Sequence, residues 1–272
     1  MRRIVVLHRA VLLPAVFLLV SALLLSIQIV DPESSHAAGL PRLTGEGVTI
    51  YYDAGLQSTA RSVKGAYPEL KADVEKKIGW KMKSKPAIYL IDRQGSFEEM
   101  GGDESTAAFT LMPKARIVVD MASFNGFLLL NQTLRHELCH VLLHDHIRGD
   151  LPDWLEEGIC EWVGGTPVKP ASQVRRVMDA YGLYRSGVPL SRLHDFSKSR
   201  TGMGMAYGQS EAFIEYVVSR YGAEGISRVL DRLRQGDSVR KAFMNGLSQP
   251  PETLEGEWRE DLARRAKWAH SC

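Results

Sequence analysis

Apolar residues fall into three successive patterns along the chain. The first is a nearly unbroken run. Val11 to Val30 is apolar apart from Ser21, Ser26 and Gln28, and it follows a basic start at Arg2, Arg3 and Arg9. Twenty residues at the helical rise span about 30 Å, the thickness of a bilayer's hydrocarbon core. Residues 1–38 therefore predict a cleaved signal peptide or an uncleaved N-terminal membrane anchor. Ser35-His36-Ala37-Ala38 offers small residues for a cut. An anchor would keep its basic end in the cytoplasm. Either reading makes the rest of the chain exported, periplasmic or otherwise extracytoplasmic. In the second it is tied to the inner membrane by residues 11–30. No lipid-attachment cysteine follows the run.

The second pattern mixes short alternating runs with one helical stretch. Val48–Tyr52, Ala87–Ile91 and Arg116–Asp120 read as strands. Between the first two, Val63, Tyr67, Leu70, Val74 and Ile78 recur at helical spacing, so Gln57–Ile78 predicts a helix that Pro68 kinks or divides. A loop at Gly101-Gly102 precedes the last strand, and no strand is expected beyond it.

The third pattern is helical throughout. Helices are expected over Leu128–His144, Pro152–Val163, Ser172–Tyr184, Met205–Tyr221, Ala223–Leu233, Ser238–Met244 and Pro251–Trp268. Gly222 and Gly246 stand where helix ends need a permissive backbone. Strands first and helices afterwards imply an α+β fold. Asp31–Arg42 reads as a linker. Residues 39–272 then form one domain, with the sheet and first helix in 39–145 and a helical subdomain in 146–272.

Composition narrows the partners. Lys and Arg number 34 against 32 Asp and Glu, and no basic stripe concentrates them, so nucleic-acid binding is dropped. The three cysteines, Cys139, Cys160 and Cys272, are an odd set that fits no disulfide framework and no cysteine zinc site. Cys139 and Cys160 read as small buried hydrophobes, or as one bridge if their helices pack side by side. Oligomeric state is not legible.

His136-Glu137-Leu138-Cys139-His140 is an H-E-x-x-H motif on a predicted helix. Four residues turn a helix through about 400°, so the two imidazoles share one face and can hold one Zn²⁺. Glu137 lies about 100° round, beside the metal, where it can act as general base on an activated water. A catalytic zinc site takes a third protein ligand. Leu151-Pro152-Asp153-Trp154-Leu155-Glu156-Glu157-Gly158-Ile159-Cys160-Glu161-Trp162 follows. Pro152, Asp153 and Glu156 suit a helix start. Glu157 and Glu161 share one face, at the margin of the apolar side. Glu157 is the candidate ligand, and Glu161 the candidate acceptor from a ligand histidine. The competing reading makes both glutamates solvated surface.

These residues resemble the gluzincin clan of zinc metallopeptidases, and its bacterial peptidase-MA-like proteins more closely than its aminopeptidases. Trp154-Leu155-Glu156-Glu157-Gly158 is similar to the W-L-x-E-G segment of the aminopeptidase N family. Pro189–Leu193, Ala206–Ser210 and Tyr221-Gly222 look like later blocks of the peptidase-MA-like group. The resemblance spans about residues 48–260. It implies a zincin-like fold: a small mixed sheet with an active-site helix, followed by a mainly helical half. It implies hydrolysis of a peptide or protein substrate, and a sheet-edge strand, expected at Arg116–Asp120, that pairs with the substrate. It also implies Tyr207 as oxyanion stabiliser. Gly202–Gly208 would bring backbone close to the site. Nothing resembles the large amino-terminal aminopeptidase domain, so aminopeptidase specificity is not carried over.

Rival readings remain open. His146 stands six residues after His140, where metzincins place a third ligand, but Leu143 replaces the glycine they need. His144 and His146 otherwise read as a polar helix end. His8, His36, His194 and His270 show no ligand spacing. Other function classes are a catalytically weak zincin-fold binding or assembly protein of the cell envelope, and an envelope protein whose motif is accidental.

Overall fold

A computed structural model describes residues 39–102, 106–124, 126–165, 187–196 and 203–269. The apolar segment, the helix expected at Ser172–Tyr184, and His8, His36, His270 and Cys272 lie outside the described residues. Among the described residues, no helix is long and apolar enough to cross a membrane.

Five strands form one mixed sheet: β1 (Arg42–Gly45), β2 (Val48–Tyr52), β3 (Ala87–Ile91), β4 (Ala108–Leu111) and β5 (Arg116–Asp120). Their order is β1-β2-β3-β5-β4. β2, β3 and β5 run parallel, while β1 and β4 pair antiparallel at the two edges. The register aligns Leu43, Ile50, Ile88, Ile117 and Thr110 in one row across the sheet. Period-two alternation sends that row to the face covered by α1 (Gln57–Ile78) and α3 (Phe127–His146). On the other face, α2 (Gln94–Glu99) presents Phe97 edge-on to Phe109 of β4, with ring centroids 5.4 Å apart.

Two strands were not expected. β1 and β4 have four residues each, with too few alternations to read as period two. This corrects the placement of the edge. Arg116–Asp120 is interior, paired on both sides, and Ala108–Leu111 is the edge next to α3. No strand follows Asp120 among the described residues. The helix α1 is also not divided at Pro68. It runs continuously, because Val63, Tyr67, Leu70 and Val74 on either side are buried, and that packing outweighs the one hydrogen bond proline removes.

The helical half comprises α4 (Asp153–Gly164), α5 (Met203–Arg234), α6 (Val239–Leu247) and α7 (Pro251–Ala269). Gly222 breaks the course of α5 with φ +71° and ψ 175°, a conformation glycine tolerates. Gly246 does not end a helix. It lies inside α6, where an added Cβ would come within 3.1 Å of the Val229 backbone nitrogen, and Ser248 takes the left-handed cap instead.

Two close approaches seat α4. A Cβ on Gly158 would lie 2.7 Å from the Ser210 carbonyl oxygen of α5. One on Gly164 would lie 3.1 Å from the Gln132 carbonyl oxygen of α3. Only missing side chains let α4 wedge between both neighbours. Trp154 anchors the wedge edge-on to Phe213, with centroids 5.7 Å apart. The ends of α4 are satisfied by distant parts of the chain. Asp153 and Trp154 amides donate to the His194 and Leu193 carbonyls. Lys77 of α1 donates to the Trp162 and Val163 carbonyls at 3.0 Å each, where the helix dipole favours a cation.

Candidate metal centre

α3 and α4 cross with their polar margins facing. His136 and His140 stand one turn apart on α3, and Glu157 reaches them from α4. His136 Nε2 and His140 Nε2 are 3.1 Å apart. Glu157 Oε2 is 3.2 Å from the first and 3.4 Å from the second. Among the described residues, this is the one group of three or more His, Cys, Asp or Glu that can hold a metal ion.

The triangle fits such an ion. Donor atoms placed tetrahedrally about 2.0–2.1 Å from zinc stand about 3.3–3.4 Å from one another. A hydrogen-bonded cluster explains the arrangement less well. Glu157 Oε2 is buried and makes no hydrogen bond, despite lying this close to two imidazoles. An orphaned carboxylate oxygen inside a protein is costly. Two nitrogens and one oxygen are the protein ligand set typical of a catalytic zinc site.

The charges agree with that geometry. Burial pushes the Glu157 carboxyl up, but His136 and His140 outweigh it and hold the group well below its usual range. Burial pushes His140 down, but Glu156 and Glu157 raise it well above its usual value. The cluster is built to concentrate opposite charges on one point.

Glu156 was not anticipated as part of the site. Its Oε1 lies 2.8 Å from His140 Nδ1 and 2.9 Å from His144 Nε2. Against burial, those two imidazoles bring its carboxyl down to about 2. The sequence marked Glu156 only as a residue suited to a helix start. Its turn toward His140 depends on the crossing of two helices. Glu161, the expected acceptor, stands 3.5 Å from His136 Nδ1, longer than a hydrogen bond. Burial raises its carboxyl, and neighbouring carboxylates add to the rise while His136 opposes it.

Glu137 is buried and points to the sheet. Its Oε2 accepts a hydrogen bond from Thr110 Oγ1 at 2.6 Å. Thr110 is the polar end of the otherwise aliphatic row across the sheet. Its contribution was invisible because the strand carrying it was.

Tyr207 lies in the first turns of α5, half-buried and edge-on to Phe196, with ring centroids 5.1 Å apart. Burial raises its hydroxyl above the ordinary range, and the charges of Glu157, Glu137 and Glu161 add to the rise. It therefore shares the field of the cluster. The glycine that follows it, Gly208, does not act as expected, since its missing side chain faces open space. Gly202 lies outside the described residues.

His146 belongs elsewhere. The helix continues through Leu143 to His146, whose Nε2 donates to the Lys81 carbonyl at 2.7 Å while its ring packs on Trp80. That removes the metzincin arrangement. The later blocks brace α4 through the Leu193 carbonyl, which accepts from the Trp154 amide, and the Ser210 carbonyl, which abuts Gly158, and two further bonds hold the segment beside them. Gln209, fully buried, accepts from the Val188 amide at 3.0 Å, and Asp153 accepts from the Phe196 amide at 2.7 Å.

The family described as Peptidase MA superfamily matches residues 104–264, more than half of the chain and all of the cluster. No curated protein matches the chain.

Proposed function

The chain belongs to the peptidase MA superfamily, and from that premise we propose that it is a zinc-dependent metallopeptidase of the gluzincin type. The observation that carries the reading is the convergence of His136 Nε2, His140 Nε2 and Glu157 Oε2 from two helices onto one point. In this reading these three residues hold Zn²⁺. Bound there, the ion supplies Lewis acidity, lowering the pKa of a water toward about 7 and polarising the scissile carbonyl.

The chain's own side chains do the rest. Glu137, steadied through Oε2 by Thr110, accepts the proton of the attacking water and passes it to the leaving nitrogen. Glu156 occupies Nδ1 of His140 and so directs Nε2 to the cluster. Tyr207 keeps its proton, because its hydroxyl is raised, and can donate to the developing oxyanion. Among the described residues no strand pairs with the outer edge of β4, beside Glu137, and an extended peptide would add there. Residues 39–272 form the peptidase domain, and segment 11–30 places it outside the cytoplasm, exported or tethered.

The test is Glu137→Gln in the full chain. Zinc content should stay at the wild-type level, while cleavage of a fluorogenic peptide library falls by about 10²–10⁴-fold. Undiminished cleavage by the variant would remove Glu137 as base. A zinc-loaded wild type that cleaves nothing would favour a binding or assembly role.

A further inference from the structure

The seam between α3 and α4 carries a pair of thiols that the peptidase reading leaves unused. Cys139 and Cys160 are free thiols, and neither has any exposed surface. Contacts along the seam fix the register of the helices. Gly164 abuts Gln132, Glu161 approaches His136, and Glu156 meets His140. Positions rise on one helix as they fall on the other, so the two run antiparallel. In that register Cys139 falls opposite Cys160.

Backbone distance is the usual obstacle to a bridge between helices, because the two Cα atoms must come within about 7 Å. The helices approach closely one turn from the cysteines. A Cβ on Gly164 would lie 3.1 Å from the Gln132 carbonyl oxygen and 3.3 Å from His136 Cβ, so the helices meet with no side chain between them. The seam thus presents imidazoles and carboxylates along one margin and a thiol pair beside them.

We propose that Cys139 and Cys160 form a disulfide by exchange with a small-molecule or protein disulfide, fastening the histidine helix to the helix of Glu157. One cysteine thiolate attacks a sulfur of the donor disulfide, forming a mixed disulfide and releasing one donor thiolate. The second cysteine thiolate attacks the protein sulfur of that mixed disulfide and releases the other donor thiolate. The two cysteine protons end on the two donor thiols. The pair loses two electrons and the donor disulfide gains them. Both sulfurs are buried in the folded protein, so the bond closes while the chain folds.

The test refolds the reduced full chain in a buffer of glutathione and glutathione disulfide, followed by peptide mapping without reduction. The expected product is a linked pair of peptides carrying Cys139 and Cys160, with Cys272 free. Two free thiols at these positions, or a link from either to Cys272 or to glutathione, would overturn the proposal. Fastening is read by amide hydrogen exchange over residues 153–164. The oxidised chain should exchange more slowly than the reduced chain, by about tenfold or more. Equal rates would remove the fastening role. Neither readout uses the metal, so failure here is distinct from failure of the peptidase reading.

Discussion

A histidine that offers Nε2 to a metal needs its other nitrogen held, and for His140 the holder is Glu156 at 2.8 Å. Glu156→Gln keeps an oxygen acceptor but removes the charge. Zinc affinity should fall by about 10–100-fold, measured by competition with a chromogenic chelator, and an unchanged affinity would exclude this role. His136, Glu137 and His140 were legible because one helical repeat sets their spacing, and Glu157 because it shares a face with Glu161 at the apolar margin of the next helix. Glu156 and Thr110 were not legible. One depends on how α4 crosses α3, and the other on the register of an edge strand. No periodicity along the chain encodes either.

Among the elements, α4 shows what the tryptophan and glycine of its segment are for. Trp154 fixes it to Phe213, and Gly158 lets it touch the backbone of α5. Gly158→Ala would place a Cβ 2.7 Å from the Ser210 carbonyl, against backbone that cannot swing away. It should lower stability by about 1–3 kcal/mol, read as a reduced melting temperature. Gly208→Ala is the control. Its Cβ meets nothing within 4 Å, and alanine in a helix should be neutral or stabilising by up to about 1 kcal/mol. Equal effects at both sites would contradict the close-packing account. The same scale explains the expectations that failed. Strands of five residues and helices of twelve or more carry enough period to be read, whereas β1 and β4 carry four residues each. The substrate-edge assignment moved to β4 for that reason alone.

For the whole molecule, the order of strands followed by helices made the α+β class legible. What the order could not convey is that charge gathers where the two halves meet. Burial opposes a proton on His140, but Glu156 and Glu157 prevail and raise it well above its ordinary value of 6.5. Because the folded value is the higher one, this proton's stabilisation is fully present below about 6.5 and is lost as pH rises through the folded value. Glu156 has the opposite sign. Its contribution is present above 4.5 and is lost as pH falls toward about 2. A metal ligand must be deprotonated, so zinc competes with the His140 proton. The rise in melting temperature on adding zinc should therefore grow between pH 6 and pH 9. A gain that is flat or shrinking across that range would contradict the assignment of His140.

The most direct measurement is zinc per chain in the wild type and in Glu157→Ala. The account predicts close to one zinc in the wild type and most of it lost in the variant. Zinc fully retained by Glu157→Ala, or none taken up by wild type after reconstitution, would contradict it.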